Sequence, residues 1–248
     1  MKTKSPTIGA TPAGATDPDS AARAVREMFT SIAPRYDLLN HLLSFNIDRV
    51  WWNRTARTFT HILRRPEARV LDLCCGTGDM TFSLGRRASS SARIRGADFS
   101  HAMLLRASTK SRGTSMSWVE ADALNLPFAD AHFDLVTAAF GFRNLADYDA
   151  GLREIARVLR PGGECGILDF GEPGGLIGKL YRVYFKRVLP TIGTIISGVK
   201  GPYAYLPASV EKFPQSEEML DRMRAAGFSN VSWTPYTFGI AGLYRGKK

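Results

Sequence analysis

The segment V-L-D-L-C-C-G-T-G-D-M-T, residues Val70–Thr81, decides how the chain folds. Val70–Leu73 have the apolar run of a buried strand end. Cys75-Gly76-Thr77-Gly78 follow as a tight turn, and Asp79 stands where it can cap the next helix. Glycines in a strand-to-helix turn let the backbone bend sharply and come close to a ligand.

Downstream of this turn the texture repeats. Ala68–Leu73, Arg93–Asp98, Met116–Glu120, Phe133–Ala139 and Cys165–Phe170 read as five strands. Helices are expected from Asp79, from His101 behind a Ser100 cap, over Asp147–Leu159, and over Ser216–Ala226 closed by Gly227. Arg160-Pro161-Gly162-Gly163 reads as the stop after Asp147–Leu159. Phe228–Thr234 and Phe238–Tyr244 form a last pair of strands around Pro235. The alternation predicts an α/β fold with a doubly wound, mostly parallel sheet and ligands at the carboxyl ends of its strands. The closing pair predicts an antiparallel strand at one edge.

Upstream, residues 1–19 are rich in Thr, Ala, Pro and Gly and read as a disordered tail. Residues 20–65 read as a helical lead-in: Ser20–Met28 with Ser20 as N-cap, then a leucine-spaced stretch, then Asp48–Leu63 with Trp51 and Trp52. Residues 20–248 are expected to form a single domain. Residues 171–213 interrupt the βα rhythm. They mix Leu176, Ile177, Leu180, Tyr181 and Phe185 with Lys179, Arg182, Lys186 and Arg187. The oily run Val188–Val199 is broken by Pro190 and Gly193, too short and too interrupted to span a bilayer.

Composition sets outer limits. Of 248 residues, 44% are hydrophobic and 23% charged, which is ordinary for a soluble domain. The formal net charge of +10 suits an anionic partner, nucleic acid or membrane surface, and says nothing about fold. The three cysteines, Cys74, Cys75 and Cys165, fit a reducing, cytoplasmic setting and lack metal-site spacing, so no metal is expected.

The ends of the other strands narrow the ligand. Asp98 closes the second strand opposite the glycine turn, placed to accept from ribose hydroxyls. Thr81 stands where a dinucleotide fingerprint needs its third glycine, and no phosphate-loop Lys-Ser/Thr follows. A nucleoside without pyrophosphate fits better, and S-adenosylmethionine is one. Asp122, after the third strand, can accept from an adenine amine while Ala123 offers backbone; the plainer reading is a helix or turn cap. The cofactor set is thus Gly76, Thr77, Gly78, Asp98, Asp122 and Ala123.

The turn, Asp98, Asp122 and Arg157-Val-Leu-Arg-Pro-Gly-Gly163 resemble a class I S-adenosylmethionine-dependent methyltransferase. The closer resemblance is to the ubiquinone/menaquinone biosynthesis C-methyltransferases. It is carried by Tyr36-Asp37-x-x-Asn40-x-x-Leu43-Ser44 running to Trp51, by Phe140-Gly141-Phe142-Arg143-Asn144, by the Arg157–Gly163 run, and by Tyr203-x-Tyr205-Leu206-x-x-Ser209-x-x-x-Phe213-Pro214. Cys74 stands where that turn usually has its first glycine. Asp48, Asp169, Gly171 and Ala139 also depart from the family pattern. The resemblance implies a Rossmann-like sheet and methyl transfer to a ring carbon of a polyprenylated quinol. Demethylmenaquinol comes first, and the benzoquinol step of ubiquinone synthesis is the alternative. It implies that Arg143 and Asn144 orient the quinol oxygen and stabilise its anion, with Tyr36 closing the site. Plainer readings pair Arg143 with Asp147 or Asp149 and pack Tyr36 beside Pro34. Residues 171–213 then read as a lid that skims anionic lipid at the inner membrane face, or as a dimer interface or ordinary core. An RNA methyltransferase is a more distant alternative. It predicts an Asn/Asp-Pro-Pro-aromatic motif where Ala139-Phe140-Gly141-Phe142 stands, so no nucleic acid partner is expected.

Overall fold

A computed structural model describes residues 9–10, 12, 14–33, 44, 46–171, 173–175, 178, 184 and 202–248. Tyr36 and its motif up to Leu43 lie outside these residues, as does most of 171–201.

Seven strands form one sheet: β1 Arg69–Leu73, β2 Arg93–Asp98, β3 Ser117–Glu120, β4 Phe133–Ala139, β5 Leu159–Phe170, β6 Ser229–Tyr236 and β7 Ala241–Lys247. Their order is β3-β2-β1-β4-β5-β7-β6. The first five are parallel, with Leu73 opposite Ala97 on one side and Ala138 on the other. The antiparallel character sits at the expected edge: β7 runs against both β5 and β6. The order reverses between β1 and β4. In open α/β sheets such a reversal leaves a crevice beyond the carboxyl ends of the strands.

β1 and β4 are covered on both faces, which explains their unbroken apolar runs. Leu71, Leu73, Val136 and Ala138 pack toward Leu152, Ile155 and Val158 of the helix Tyr148–Val158. Val70 and Leu135 pack on the other face with Leu84, Trp52 and Phe59. Burying each such side chain contributes about 1.5–3 kcal/mol.

The helices are α1 Pro18–Ile32, α2 Ile47–Thr58, α3 Thr60–Leu63, α4 Asp79–Gly85, α5 His101–Lys110, α6 Tyr148–Val158, α7 Pro202–Lys212 and α8 Ser216–Ala225. Several boundaries differ from the sequence reading for identifiable reasons. The N-cap of α1 is Asp17; Ser20 is its reciprocal partner at the third helical position, so the two close a capping box. Asp48–Leu63 is two helices, broken at the fully buried Phe59. Arg160–Gly163 does not end the ladder. Leu159 already pairs with Phe133, and the four residues form an irregularity inside β5 with Gly162 at φ +80°. Pro235 lies within β6, which tolerates it because β6 is the edge strand. Thr237, Phe238 and Gly239 all take positive φ, so β7 starts only at Ala241. Within the segment read as a tail, Ala10 is buried and its N–H donates to the Leu145 carbonyl at 2.8 Å. Among the described residues no helix is long and apolar enough to cross a membrane.

Candidate functional site

The ends of β1, β2, β3 and β4 surround a cleft of about 740 Å³, a volume that includes its open mouth. Leu73, Cys74 and Gly76 form its floor. Asp98, Phe99 and Met103 lie on one side, Ala121–Leu124 at one end, and Ala139–Gly141 with Asn144–Ala146 on the other side. Ala22 and Phe29 of α1 add a roof.

The glycine turn is built around Asp98. The Gly76 N–H donates to Asp98 Oδ2 at 2.8 Å and the Ser100 N–H to Oδ1 at 2.9 Å. Burial pushes the Asp98 carboxyl up to about 6, against these N–H donors, which favour its anion. Each carboxylate oxygen accepts more than one hydrogen bond, so Asp98 keeps capacity for ribose hydroxyls. Asp122 makes the turn cap of its plainer reading and also borders the cleft. Its Oδ1 accepts the Leu124 N–H at 2.9 Å. Ala123 lines the wall beside it. The apolar Leu73, Phe99, Met103 and Leu124 between the two acids suit an adenine ring, so the residues present fit a nucleoside.

Thr77 and Gly78 sit differently. Thr77 is buried under the turn and its hydroxyl accepts from Lys110 Nζ at 3.3 Å; it is not on the cleft wall. Gly78, at φ +91°, serves the turn: a Cβ there would meet the Trp118 ring at 2.6 Å. Phe99, Met103 and Leu145 line the cleft without having been singled out in the sequence, where only Phe99 carries a signal, its place directly after Asp98.

Cys74 now has an account. It takes φ +53°, a left-handed conformation that costs a non-glycine residue roughly 1–2 kcal/mol. Directly beside it Gly141 leaves the room: a Cβ on Gly141 would sit 2.3 Å from the Cβ of Cys74. The two positions share the space of one side chain. Burial and the nearby Asp98 and Asp72 carboxylates hold the Cys74 thiol well above its usual range, which favours the protonated thiol.

Beneath the turn lies Asp72, fully buried, accepting from Thr81 Oγ1 at 2.6 Å and Thr137 Oγ1 at 2.8 Å. Burial raises its pKa from 3.8 to about 7. The folded state therefore keeps a proton that the unfolded chain loses. That contribution to stability is complete below about pH 4 and is lost as pH rises through 7. Asp72→Asn is expected to remove this slope. Subtracting its unfolding free energy from that of the wild type between pH 4 and 8 checks it, and parallel profiles would contradict it.

Arg143 and Asn144 follow β4 in a short 3₁₀ turn, Phe142–Asn144. Asn144 lines the cleft; Arg143 does not. Arg143 is 5% exposed and pairs with neither Asp147 nor Asp149. Its Nη1 donates to Asp169 Oδ1 at 2.8 Å and to the Phe140 carbonyl, and its backbone N–H to Asp169 Oδ2 at 3.1 Å. Asp149 is taken by Arg222. Phe140 is left-handed, at φ 58°, and its ring packs against Trp51 and Phe170 at 5.7 and 4.7 Å. Arg143 thus pins a strained backbone at the cleft wall from behind. The Arg157–Gly163 run is equally structural: Arg157 binds Glu154, Asp130 and the carbonyls of Leu126 and Phe128. Among the described residues no group of three His, Cys, Asp or Glu side chains is disposed around a metal position.

The sequence profile of the ubiE/COQ5 methyltransferase family matches residues 17–248. The chain belongs to the ubiE/COQ5 methyltransferase family. It is 48% identical over 235 residues to a demethylmenaquinone methyltransferase of Deinococcus radiodurans, covering 94% of this chain and 95% of that one. It is 50% identical over 224 residues to a protein of the same name from Thermus thermophilus, covering 89% and 100%. The ubiquinone/menaquinone biosynthesis C-methyltransferase of Geobacter sulfurreducens is 43% identical, with 90% and 88% covered. Among solved structures, a SAM-dependent methyltransferase from Thermotoga maritima matches with a TM-score of 0.63 at 19% identity, covering 90% and 99%; it shows the shared fold. This member of the ubiE/COQ5 family is accordingly a methyltransferase on a SAM-dependent methyltransferase scaffold. Its cleft lies where that scaffold's strand order reverses.

Proposed function

We propose that the enzyme methylates a ring carbon of a polyprenylated quinol, demethylmenaquinol in the first place, using S-adenosylmethionine. The observation that carries this reading is that Asp98, Asp122 and Asn144 line one cleft, the first at the end of β2, the second after β3 and the third after β4. The names of the Deinococcus and Thermus relatives supply the naphthoquinol, and the Geobacter relative's name keeps the benzoquinol as the second reading.

Gly76 and Asp98 would hold the ribose, and Asp122 and Ala123 the adenine edge, with Leu73 and Met103 against its faces. Thr77 supports this floor from beneath. S-adenosylmethionine, when bound, supplies a methyl group already activated by its sulfonium. What the protein adds is alignment and exclusion of water. Holding two reacting groups in line contributes roughly 7–11 kcal/mol. Asn144 donates to the quinol oxygen as its negative charge grows, and such preorganised donors act strongly in a water-poor cleft. Arg143 positions Phe140 and Asn144 and touches no reacting atom. Tyr36 keeps its closing role on the resemblance alone.

Asn144→Ala is expected to lower turnover by about 100-fold, in line with loss of one oxyanion donor, while cofactor affinity stays within twofold. Steady-state rates with calorimetric cofactor binding check this, and wild-type turnover would remove Asn144 from the site. The prenyl tail gains about 0.8 kcal/mol for each CH₂ taken from water. Residues 171–213, with their basic and apolar mixture, are therefore assigned to contact with an anionic bilayer. Co-sedimentation with anionic vesicles is expected at low salt and not at high salt. Failure to sediment at low salt would refute that contact.

A further inference from the structure

Helix α7, Pro202–Lys212, carries Tyr205 and Ser209 four residues apart, on one face. That face is set against the two residues of the turn after β4. Tyr205 Oη donates to Asn144 Oδ1 at 3.2 Å, and Ser209 Oγ accepts from Arg143 Nε at 3.3 Å. Ser209 is 5% exposed and its own O–H donates to the Leu206 carbonyl at 2.8 Å, so its lone pairs face Arg143. Arg143 is fixed from other directions too. Asp169 takes its N–H and guanidinium, and its carbonyl accepts from Tyr148 Oη at 3.0 Å. The Asn144 side chain has Tyr205 as its hydrogen-bond partner.

We propose that Tyr205 is a positioning residue that sets the polarity Asn144 shows to the substrate. An amide side chain has one acceptor end and one donor end. A phenol that donates to Oδ1 turns the acceptor end toward α7 and leaves the two N–H groups for the cleft that Asn144 lines. The reaction proposed above needs that polarity. A quinol oxygen that becomes negative is stabilised by a donor and opposed by an acceptor. Burial pushes the Tyr205 phenol up to about 12, so it remains a donor through the working pH range. The turn residues and the helix are 61 and 66 positions apart in sequence. The docking of α7 therefore decides whether the site holds a correctly turned amide. Ser209 plays the companion part by fixing α7 to Arg143.

The inference rests on the role proposed for Asn144, and the test separates the two. Tyr205→Phe keeps the ring and removes only the donor. It is expected to lower kcat about tenfold, the worth of one modest hydrogen bond, with cofactor affinity and quinol KM within twofold. Placed on an Asn144→Ala background, Tyr205→Phe is expected to add nothing, since the amide it orients is gone. Asn144→Asp, which presents acceptors only, is expected to fall below Asn144→Ala. Wild-type kcat for Tyr205→Phe, or an equal tenfold loss on both backgrounds, overturns the positioning role while leaving Asn144 in the site. Wild-type turnover of Asn144→Ala overturns the role of Asn144 itself. A circular dichroism melt of Tyr205→Phe within a few degrees of wild type separates a local effect from unfolding.

Discussion

Arg143→Ala is expected to lower the unfolding free energy by about 3–5 kcal/mol. The reason is Asp169, 0% exposed, whose carboxylate would remain buried without the guanidinium that now pairs with it at 2.8 Å. The Phe140 carbonyl and Ser209 Oγ lose the same partner. Removing both charges is a different matter. Arg143→Met with Asp169→Leu fills the space with apolar groups, and such swaps of buried pairs are often neutral or stabilising. The double variant is therefore expected to recover most of the stability and little of the turnover, because Phe140 and the Phe142–Asn144 turn lose their clamp. Denaturant titrations of the single and double variants check this. Full stability in Arg143→Ala would mean that the pair is not what holds the cleft wall. Loss of activity in Arg143→Ala alone does not identify a general base, since the guanidinium is engaged behind the wall.

Asp98→Ala is expected to weaken cofactor binding by about 100-fold or more. Hydrogen bonds to a charged group contribute about 1.5–3 kcal/mol each, and the ribose offers two hydroxyls. The substitution also strands the buried N–H groups of Gly76 and Ser100. Asp98→Asn is close in shape, yet its NH₂ must meet one of those N–H donors, so it is expected to lie nearer Ala than wild type. The pH dependence follows from the raised pKa. Asp98 accepts best when ionised, so affinity is expected to be full above about pH 7 and to fall as pH drops through 6. Calorimetry of S-adenosylhomocysteine binding in buffers of different ionisation enthalpy is expected to show proton release near pH 6. Flat affinity between pH 5 and 8 would place the ribose elsewhere.

Much of the fold was legible because it depends on backbone periodicity. Five parallel strands and their helices follow from apolar runs and glycine turns, and Asp98 and Asp122 follow from their places at strand ends. Side-chain direction in loops is not periodic, and that is where reading stopped. In sequence Arg143 reads as a substrate contact because it neighbours Asn144 in a motif. The burial that turns it toward Asp169 arises from β5 and α7, elements distant in sequence. Thr77 fell the same way: it is in the right turn but points beneath it, toward Lys110. The bulge at Arg160–Gly163 carries the residues of a helix stop, and only pairing with Phe133 shows the sheet resuming. Cys74 was legible as an anomaly, but its explanation lay 67 positions away, in the missing Cβ of Gly141.

The central claim is that this cleft brings the methyl donor to a prenylated quinol. Its most direct test incubates the purified enzyme with methyl-labelled S-adenosylmethionine and, separately, reduced demethylmenaquinone and the demethylated benzoquinol, with product identified by mass spectrometry. The account predicts a label-bearing product one methyl heavier on the naphthoquinol ring carbon, formed faster than any benzoquinol product. No methylated quinol from either substrate, by enzyme that still binds S-adenosylhomocysteine, would contradict it.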